Sequence, residues 1–453
     1  MDKNSKDSIW ELKPMLSLAG PIVMTELGWM TMSLVDTMMV GRVSPEAIGA
    51  VSIGTAVFLA TTIFGMGLLL GLDTLVSQAH GADKLEECQR WLFHGFYLSV
   101  LLSPLIMGIL WGSLPFLYLW GFHPTVLELT VPYLKALSWG TFPLMLYVTF
   151  RRYLQGMGQV NSMMLVLVSA NLINAFANWV LIFGKLNFPA MGVEGAGWAT
   201  CISRLYLAIT LGILIFRNHH SKEFPLLSTS VKFNRTWLNR LVSLSLPAAL
   251  QTSLEVGVFS AVTALAGKLT PVSIAAHQIV LNAAGFIFMV PLGISSAGAV
   301  RVGQAIGRSD LRGAAHSGWL ALFLGAGFML TAALLFLSFP QPIMRLFTRD
   351  ADVISTGVSL LLITAAFMCF DGIQVVATGI LRGAADTRTP MVINLIGHWL
   401  VGLPLGSFLC FQWQWGVKGL WVGLSVSFIS IGIVLLVIWN HKAKTLSKLR
   451  KEH

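Results

Sequence analysis

Residues 15–40 read MLSLAGPIVMTELGWMTMSLVDTMMV. A helix needs roughly 20 apolar residues to cross a bilayer, so this stretch is long enough to span one. It is too long for a signal-peptide core and lacks a cleavage-site pattern, so it reads as a retained first span after a polar N-terminus ending at Lys13. Inside it sits Asp36, in Ser33-Leu34-Val35-Asp36-Thr37, with no basic residue within a helical turn. A carboxylate buried in hydrocarbon costs ~2.5–3.5 kcal/mol on insertion scales and therefore usually faces a cavity where it handles ions, protons or charged substrates.

The same pattern continues along the chain. Apolar runs follow one another with little pause, 55% of the 453 residues are hydrophobic and only 11% are charged, against roughly 25% charged in a soluble domain. The chain is an integral membrane protein, and a soluble core of this size is excluded. Gly, Pro and charge punctuation divide it into twelve spans, near residues 14–40, 48–79, 91–119, 126–152, 160–184, 192–216, 238–267, 273–304, 313–338, 352–381, 388–411 and 415–439. The fold class is thus an all-α polytopic membrane protein with twelve transmembrane helices. The net charge of +10 is no nucleic-acid stripe. Counting span-end residues with the adjoining loop, 22 of the 30 Lys and Arg fall with the N-terminal segment, the even-numbered loops and the C-terminal tail, and six with the odd-numbered loops. That asymmetry places both termini in the cytoplasm. Cys88, Cys201, Cys369 and Cys410 are scattered and imply no disulfide framework or zinc site.

The two halves repeat each other. A shift of 226 places Ser17-Leu18 on Ser243-Leu244, Pro21 on Pro247, Gly41 on Gly267, Pro45 on Pro271, Gly67 on Gly293, and Gln78-Ala79 on Gln304-Ala305. A shift of 227 then puts Leu154 and Gly156 on Leu381 and Gly383, and one of 224 puts Gly192-Val193 on Gly416-Val417. An even number of spans per repeat makes the repeats parallel, as in carriers that work by rocking two halves. The expected organisation is an N-lobe over 1–216, a cytoplasmic linker over 217–240, and a C-lobe with a basic cytoplasmic tail over 241–453.

Two further carboxylates lie in apolar sequence: Glu255, with Phe259 one turn on, and Asp371, with Phe367 one turn earlier. An acid beside an aromatic ring suits an organic cation, through charge pairing and cation–π attraction, although ordinary core packing explains such a ring equally well. In the fifth span Asn171, Asn174 and Asn178 share a helix face. With Asp36 and Thr200 they offer hard ligands for sodium, or a network that holds a proton; the plainer alternative is that the amides tie neighbouring helices together. The acids break the repeat, for Asp36 maps onto Val262, Glu255 onto Trp29 and Asp371 onto Leu144. Among lesser charges, Glu26 reaches a polar partner or the cavity, Arg204 is a candidate partner for a buried acid, and Asp73 reads as solvated at a cytoplasmic helix end. His277 and His398 offer a proton relay, although a lone histidine is more often a satisfied packing residue. There is no GxxxxGK[ST] loop, HExxH or GxSxG, so an enzyme or an ATP-driven pump is not expected.

Pro21 followed by Val35-Asp36-Thr37-Met38 and Gly41, Leu154-Gln155-Gly156-Met157-Gly158, Gly192 with Gly195-Ala196 and Ala199-Thr200, Pro247, Glu255 and Leu381-Arg382-Gly383 resemble the multidrug and toxic compound extrusion (MATE) transporters, in their bacterial NorM-like branch. The resemblance covers nearly the whole chain. It implies a two-lobed exporter in a bacterial inner membrane, exchanging inward Na+ or H+ for outward, cationic and partly apolar drugs or dyes. By the family's motif positions Asp36, Asn174, Asn178 and Thr200 look like a first-lobe ion site, and Glu255 and Asp371 like the second-lobe site. If the ion is Na+, Asp36, Glu255 and Asp371 are its expected carboxylates. Asn178 departs from the pattern, since some relatives carry an acid there. No cofactor beyond the coupling ion, no nucleic-acid partner and a monomer are expected. The alternative is a lipid or lipid-linked sugar flippase, which would want more than Arg204 and Lys135 as basic residues within the spans.

Overall fold

The computed structural model describes residues 3–220 and 232–448. Within the expected linker, residues 221–231 lie outside the described residues, as do residues 449–453 of the expected tail. Among the described residues the chain is helical throughout, without strands. The first half runs through α1 (Lys3–Val40), α2 (Pro45–Gly67), α3 (Gly71–Gly81), α4 (Leu85–Ser113) with a 3-10 turn at Leu114–Trp120, α5 (Pro124–Trp139), α6 (Thr141–Gly156), α7 (Val160–Phe183) and α8 (Gly192–His220). The second half runs through α9 (Arg235–Ala266), α10 (Pro271–Gly307), α11 (Leu311–Ser338), α12 (Pro340–Arg345), α13 (Ala351–Gly383), α14 (Arg388–Asn394), a π-helical segment Leu395–Gly402, α15 (Leu403–Phe411) and α16 (Val417–Lys448).

Eleven helical stretches among the described residues are long and apolar enough to cross a membrane. The remaining span expected from sequence, at 126–152, is α5 followed by α6, each 16 residues long and parted at Gly140. There the Gly140 amide bonds back three residues, to the Leu137 carbonyl at 3.0 Å. A Cβ at Gly140 would lie 2.9 Å from Cys201 Sγ and 3.2 Å from Arg204 Nη1. Only glycine lets α8 side chains reach the break this closely.

The repeat is written in local chemistry as well as in sequence. Ser44 caps α2 by accepting from the Ala47 amide at 3.1 Å, with Pro45 at the first helical position. Thr270, its equivalent at a shift of 226, caps α10 by accepting from Ser273 at 3.2 Å, followed by Pro271. Both pairs combine an oxygen acceptor for an orphan amide with a residue that has no amide to satisfy. Left-handed turn residues recur too: Asp83 and Ser309, Gly158 and Ala385, Gly192 and Gly416.

Packing groups the chain into two compact units, one formed by 24–249 and one by the residues up to Val23 together with 250–453. The unit boundaries therefore fall inside α1 and α9, two residues after Pro21 and Pro247, while the sequence repeats meet at the linker. Glycines at equivalent positions seal each unit. A Cβ on Gly67 would lie 2.5 Å from the Ala249 Cα, and one on Gly293 would lie 2.9 Å from the Val23 Cα. Helix backbones touch there, as small residues permit in membrane bundles. Each unit has its own apolar core, around Leu69, Leu72, Tyr147 and Leu207 in one and Val258, Leu360, Trp421 and Phe428 in the other.

Candidate functional site

In the unit 24–249, α1, α7 and α8 bring Asp36, Asn174, Asn178 and Thr200 together, all buried. Asn178 Nδ2 donates to Asp36 Oδ1 at 2.5 Å and to Asn174 Oδ1 at 3.1 Å. Thr200 Oγ1 lies 3.1 Å from Asp36 Oδ2 and 3.0 Å from the Ala196 carbonyl, so one proton serves two acceptors. Donors thus reach both carboxylate oxygens, the arrangement that stabilises an acid away from water. Asn174 Nδ2 and Asn178 Oδ1 have no hydrogen-bond partner among the described residues. The third amide of the expected face, Asn171, stays outside the cluster and donates to the Leu167 carbonyl of its own helix at 3.0 Å.

In the other unit, Glu255 on α9 and Asp371 on α13 are half-buried and within Coulombic reach of one another. Gln374, three residues beyond Asp371, lies close enough to Glu255 to interact with its carboxyl and donates from Nε2 to Asn394 Oδ1 at 2.8 Å. Asn394 in turn donates to the Pro390 carbonyl at 2.8 Å. Gln374 and Asn394 escaped the sequence reading. A polar residue one turn from an intramembrane acid is the signal that finds Gln374; nothing local in the sequence ties Asn394 to this site. Asp371 Oδ1 is buried without a hydrogen-bond partner among the described residues.

The rings flanking these acids meet on a residue that sequence reasoning missed. Phe428 of α16 stacks on Phe367 at 5.0 Å and 7° and packs against Phe259 at 6.0 Å. His398 meets its edge at 4.9 Å. The π-helical segment turns Trp399 so that Nε1 donates to the Leu254 carbonyl at 3.0 Å, beside Glu255. Such one-turn widenings of a helix frequently accompany functional sites.

The lesser charges sort differently from expectation. Asp73 is fully buried and pairs with Arg152 at 2.9 Å, so its reading as a solvated helix-end residue is wrong: α3 is tucked among α4 and α6 instead of ending in water. Glu26 pairs with Arg151, both buried. Arg204 forms no ion pair among the described residues and lies over the Phe58 ring at 4.4 Å. His277 is satisfied as expected, for Trp421 Nε1 donates to its Nδ1 at 3.1 Å and its Nε2 meets Thr263 Oγ1 at 2.9 Å. Since Nδ1 accepts, Nε2 carries the proton and the ring is neutral. His398 Nδ1 meets Ser427 Oγ at 2.7 Å, and its Nε2 has no hydrogen-bond partner among the described residues. Among the described residues no group of three or more His, Cys, Asp or Glu forms a metal cluster.

A helical chain of this kind, duplicated, crossing a membrane many times and holding acids inside each of its bundles, is a multi-pass membrane transporter. The profile of the MatE family matches residues 21–180 and 247–408, one segment in each repeat. The chain is 32% identical to the probable multidrug resistance protein NorM of Mesorhizobium japonicum, over 99% of this chain and 98% of that one. It is also 32% identical to the multidrug resistance protein PmpM of Pseudomonas aeruginosa, over 94% and 91%. The fold superimposes on the crystal structure of a MATE transporter in its bent conformation with a TM-score of 0.88 at 18% identity, covering 97% of both chains. The protein belongs to the MatE family, in its bacterial NorM-like branch.

Proposed function

We propose that this protein is a secondary antiporter of a bacterial inner membrane, with both termini in the cytoplasm, that exports organic cations in exchange for Na+ or H+. The observation that carries the reading is that Glu255 and Asp371 lie in one bundle within Coulombic reach of one another. Two like charges held close in a membrane protein are tolerated only if a positive species visits them. A proton, a sodium ion or a drug cation each neutralises the pair, and exchange follows when they compete for it. Phe259 beside Glu255 suits the apolar part of an organic cation. Asp36, with Asn174, Asn178 and Thr200, is proposed as a separate coupling site. The relatives' names, which describe multidrug resistance proteins, support export of drugs over flipping of an anionic lipid headgroup.

Energetics favour more than one coupling ion. An entering monovalent ion gains ~2.3 kcal/mol per 100 mV, and a departing monovalent drug cation loses the same, so one-for-one exchange runs on the concentration gradient alone. The test is ethidium efflux from reconstituted vesicles with sodium and proton gradients imposed separately. Wild-type protein is expected to exchange under at least one gradient, and Asp371→Asn and Asp36→Asn to lose that exchange. If both variants still exchange ethidium against the imposed gradient, the assignment is wrong.

A further inference from the structure

Arg204 carries a charge into the middle of α8 with 6% of its surface exposed. Its Nε and Nη1 have no hydrogen-bond partner among the described residues. What surrounds it is weaker than a salt bridge: the face of Phe58, and the C-terminal end of α5, whose aligned carbonyls carry partial negative charge. The missing Cβ of Gly140 leaves room for the guanidinium.

The other repeat shows that the scaffold does not need an arginine here. A shift of 224 puts Arg204 on Phe428, and a shift of 227 puts Gly140 on Phe367. Those two phenyl rings stack. One corner of the fold is therefore filled by glycine plus arginine in the first repeat and by two aromatic rings in the second.

Thr200 and Arg204 are four residues apart and share a face of α8. Thr200 is the hydroxyl partner of Asp36, and the guanidinium charge is felt at the Asp36 carboxyl. The other groups around it are Tyr133 of α5, whose hydroxyl lies 3.3 Å from Thr55 of α2, Cys201 of α8, whose thiol points at the Ala136 carbonyl at 3.1 Å, and the amides of Asn174 and Asn178. The side-chain bonds to Asp36 come from N–H and O–H donors; Na+ takes oxygen lone pairs, and Asn178 Oδ1 is one without a hydrogen-bond partner among the described residues.

We infer that Arg204 decides the ion taken at the Asp36 site, acting as a built-in counter-charge that admits a proton and excludes Na+; this refines the antiport reading and rests on it. A fixed positive charge one helical turn along α8 from Thr200 weakens any cation entering beside Asp36, on the order of tenfold. A proton bonds covalently to a carboxylate oxygen and still binds against that loss. For Na+, a weak ligand even in a good oxygen cage, the same loss empties the site. In the second repeat Phe428 removes this bias from Glu255 and Asp371.

The test is equilibrium binding of radioactive sodium to purified full-length protein, scored as the part lost on Asp36→Asn. Wild type is expected to show no such part at high millimolar sodium. Arg204→Met is expected to acquire one, tightened tenfold or more, and Arg204→Lys to behave as wild type. Asp36-dependent sodium binding by the wild type overturns the inference without reference to any variant. So does a correctly sized, soluble Arg204→Met protein that binds no more sodium than wild type. Wild-type vesicles that exchange no ethidium under either gradient refute antiport yet leave the sodium comparison standing. Vesicles that exchange ethidium while wild type binds sodium through Asp36 refute the role of Arg204 alone.

Discussion

Replacing Arg152 with Met removes the ion-pair partner of Asp73 at 2.9 Å, though not the nearby charge of Arg151, and keeps most of the side-chain volume. Asp73 is 0% exposed and Arg152 13% exposed, with a 2.9 Å bond between them. At a charge separation of about 4 Å and an effective dielectric of ~20, the lost attraction is ~4 kcal/mol. Mutational experience with broken buried pairs agrees, at about 3–5 kcal/mol. The reverse change, Asp73→Asn, is milder, about 1–2 kcal/mol, because the long arginine can swing its head toward water while the short aspartate cannot. The double variant Asp73→Asn/Arg152→Met is expected to lose well under the sum of the single losses, with a coupling of about 2–3 kcal/mol. Denaturant unfolding of the four proteins in one detergent measures all three quantities. Equal losses in the two single variants, or additive losses in the double, would show that the pair carries no such charge compensation.

Three other outcomes follow from local geometry. Ser44→Ala and Thr270→Ala each remove a cap at equivalent positions and are expected to cost about 1 kcal/mol apiece, a near-equality that unfolding measurements on both variants check. Gly318→Val drives a branched side chain into the fully buried Trp439 ring and is expected to cost about 1–3 kcal/mol or more, with altered tryptophan fluorescence as the readout. In the loop after α13, burial opposes ionisation of Asp386, but the hydrogen bond and charge of Lys442 at 3.0 Å, with donors from Thr389, outweigh it and hold the carboxyl below its ordinary value. A lowered value contributes stability above the unfolded carboxyl range that is lost as pH falls through the folded value. Asp386→Asn should therefore cost under about 1 kcal/mol at neutral pH, the pair being partly exposed, and the difference from wild type should vanish in strong acid; a deficit that persists there would contradict the assignment.

Much of this molecule is legible in its sequence because membranes impose simple rules. Span length follows from bilayer thickness, so the observed helices begin and end close to the expected runs. The repeat was visible as constant offsets, since duplicated caps and turns keep Ser44 and Thr270, or Gly192 and Gly416, in register. The grouping of Asp36 with Asn174, Asn178 and Thr200 was expected on family resemblance, and the structure brings them together. Asn171, on the same helical face by spacing, faces a different neighbour, and spacing alone says nothing of neighbours. Asp73 was misjudged for a related reason: nearness to a helix end means water only if no other helix covers that end.

By itself the sequence determined the membrane class, the helical composition, the duplication and the presence of expensive acids, because each depends on composition or on contacts within a few residues. Only the tertiary structure decided that α1 and α9 change units just past Pro21 and Pro247, that Gln374 bonds Asn394 near Glu255, and that Arg204 lies beside Gly140 without an ion pair among the described residues. Those facts depend on which side chains meet across hundreds of residues. Such meetings are set by packing all helices at once, and no local pattern encodes them.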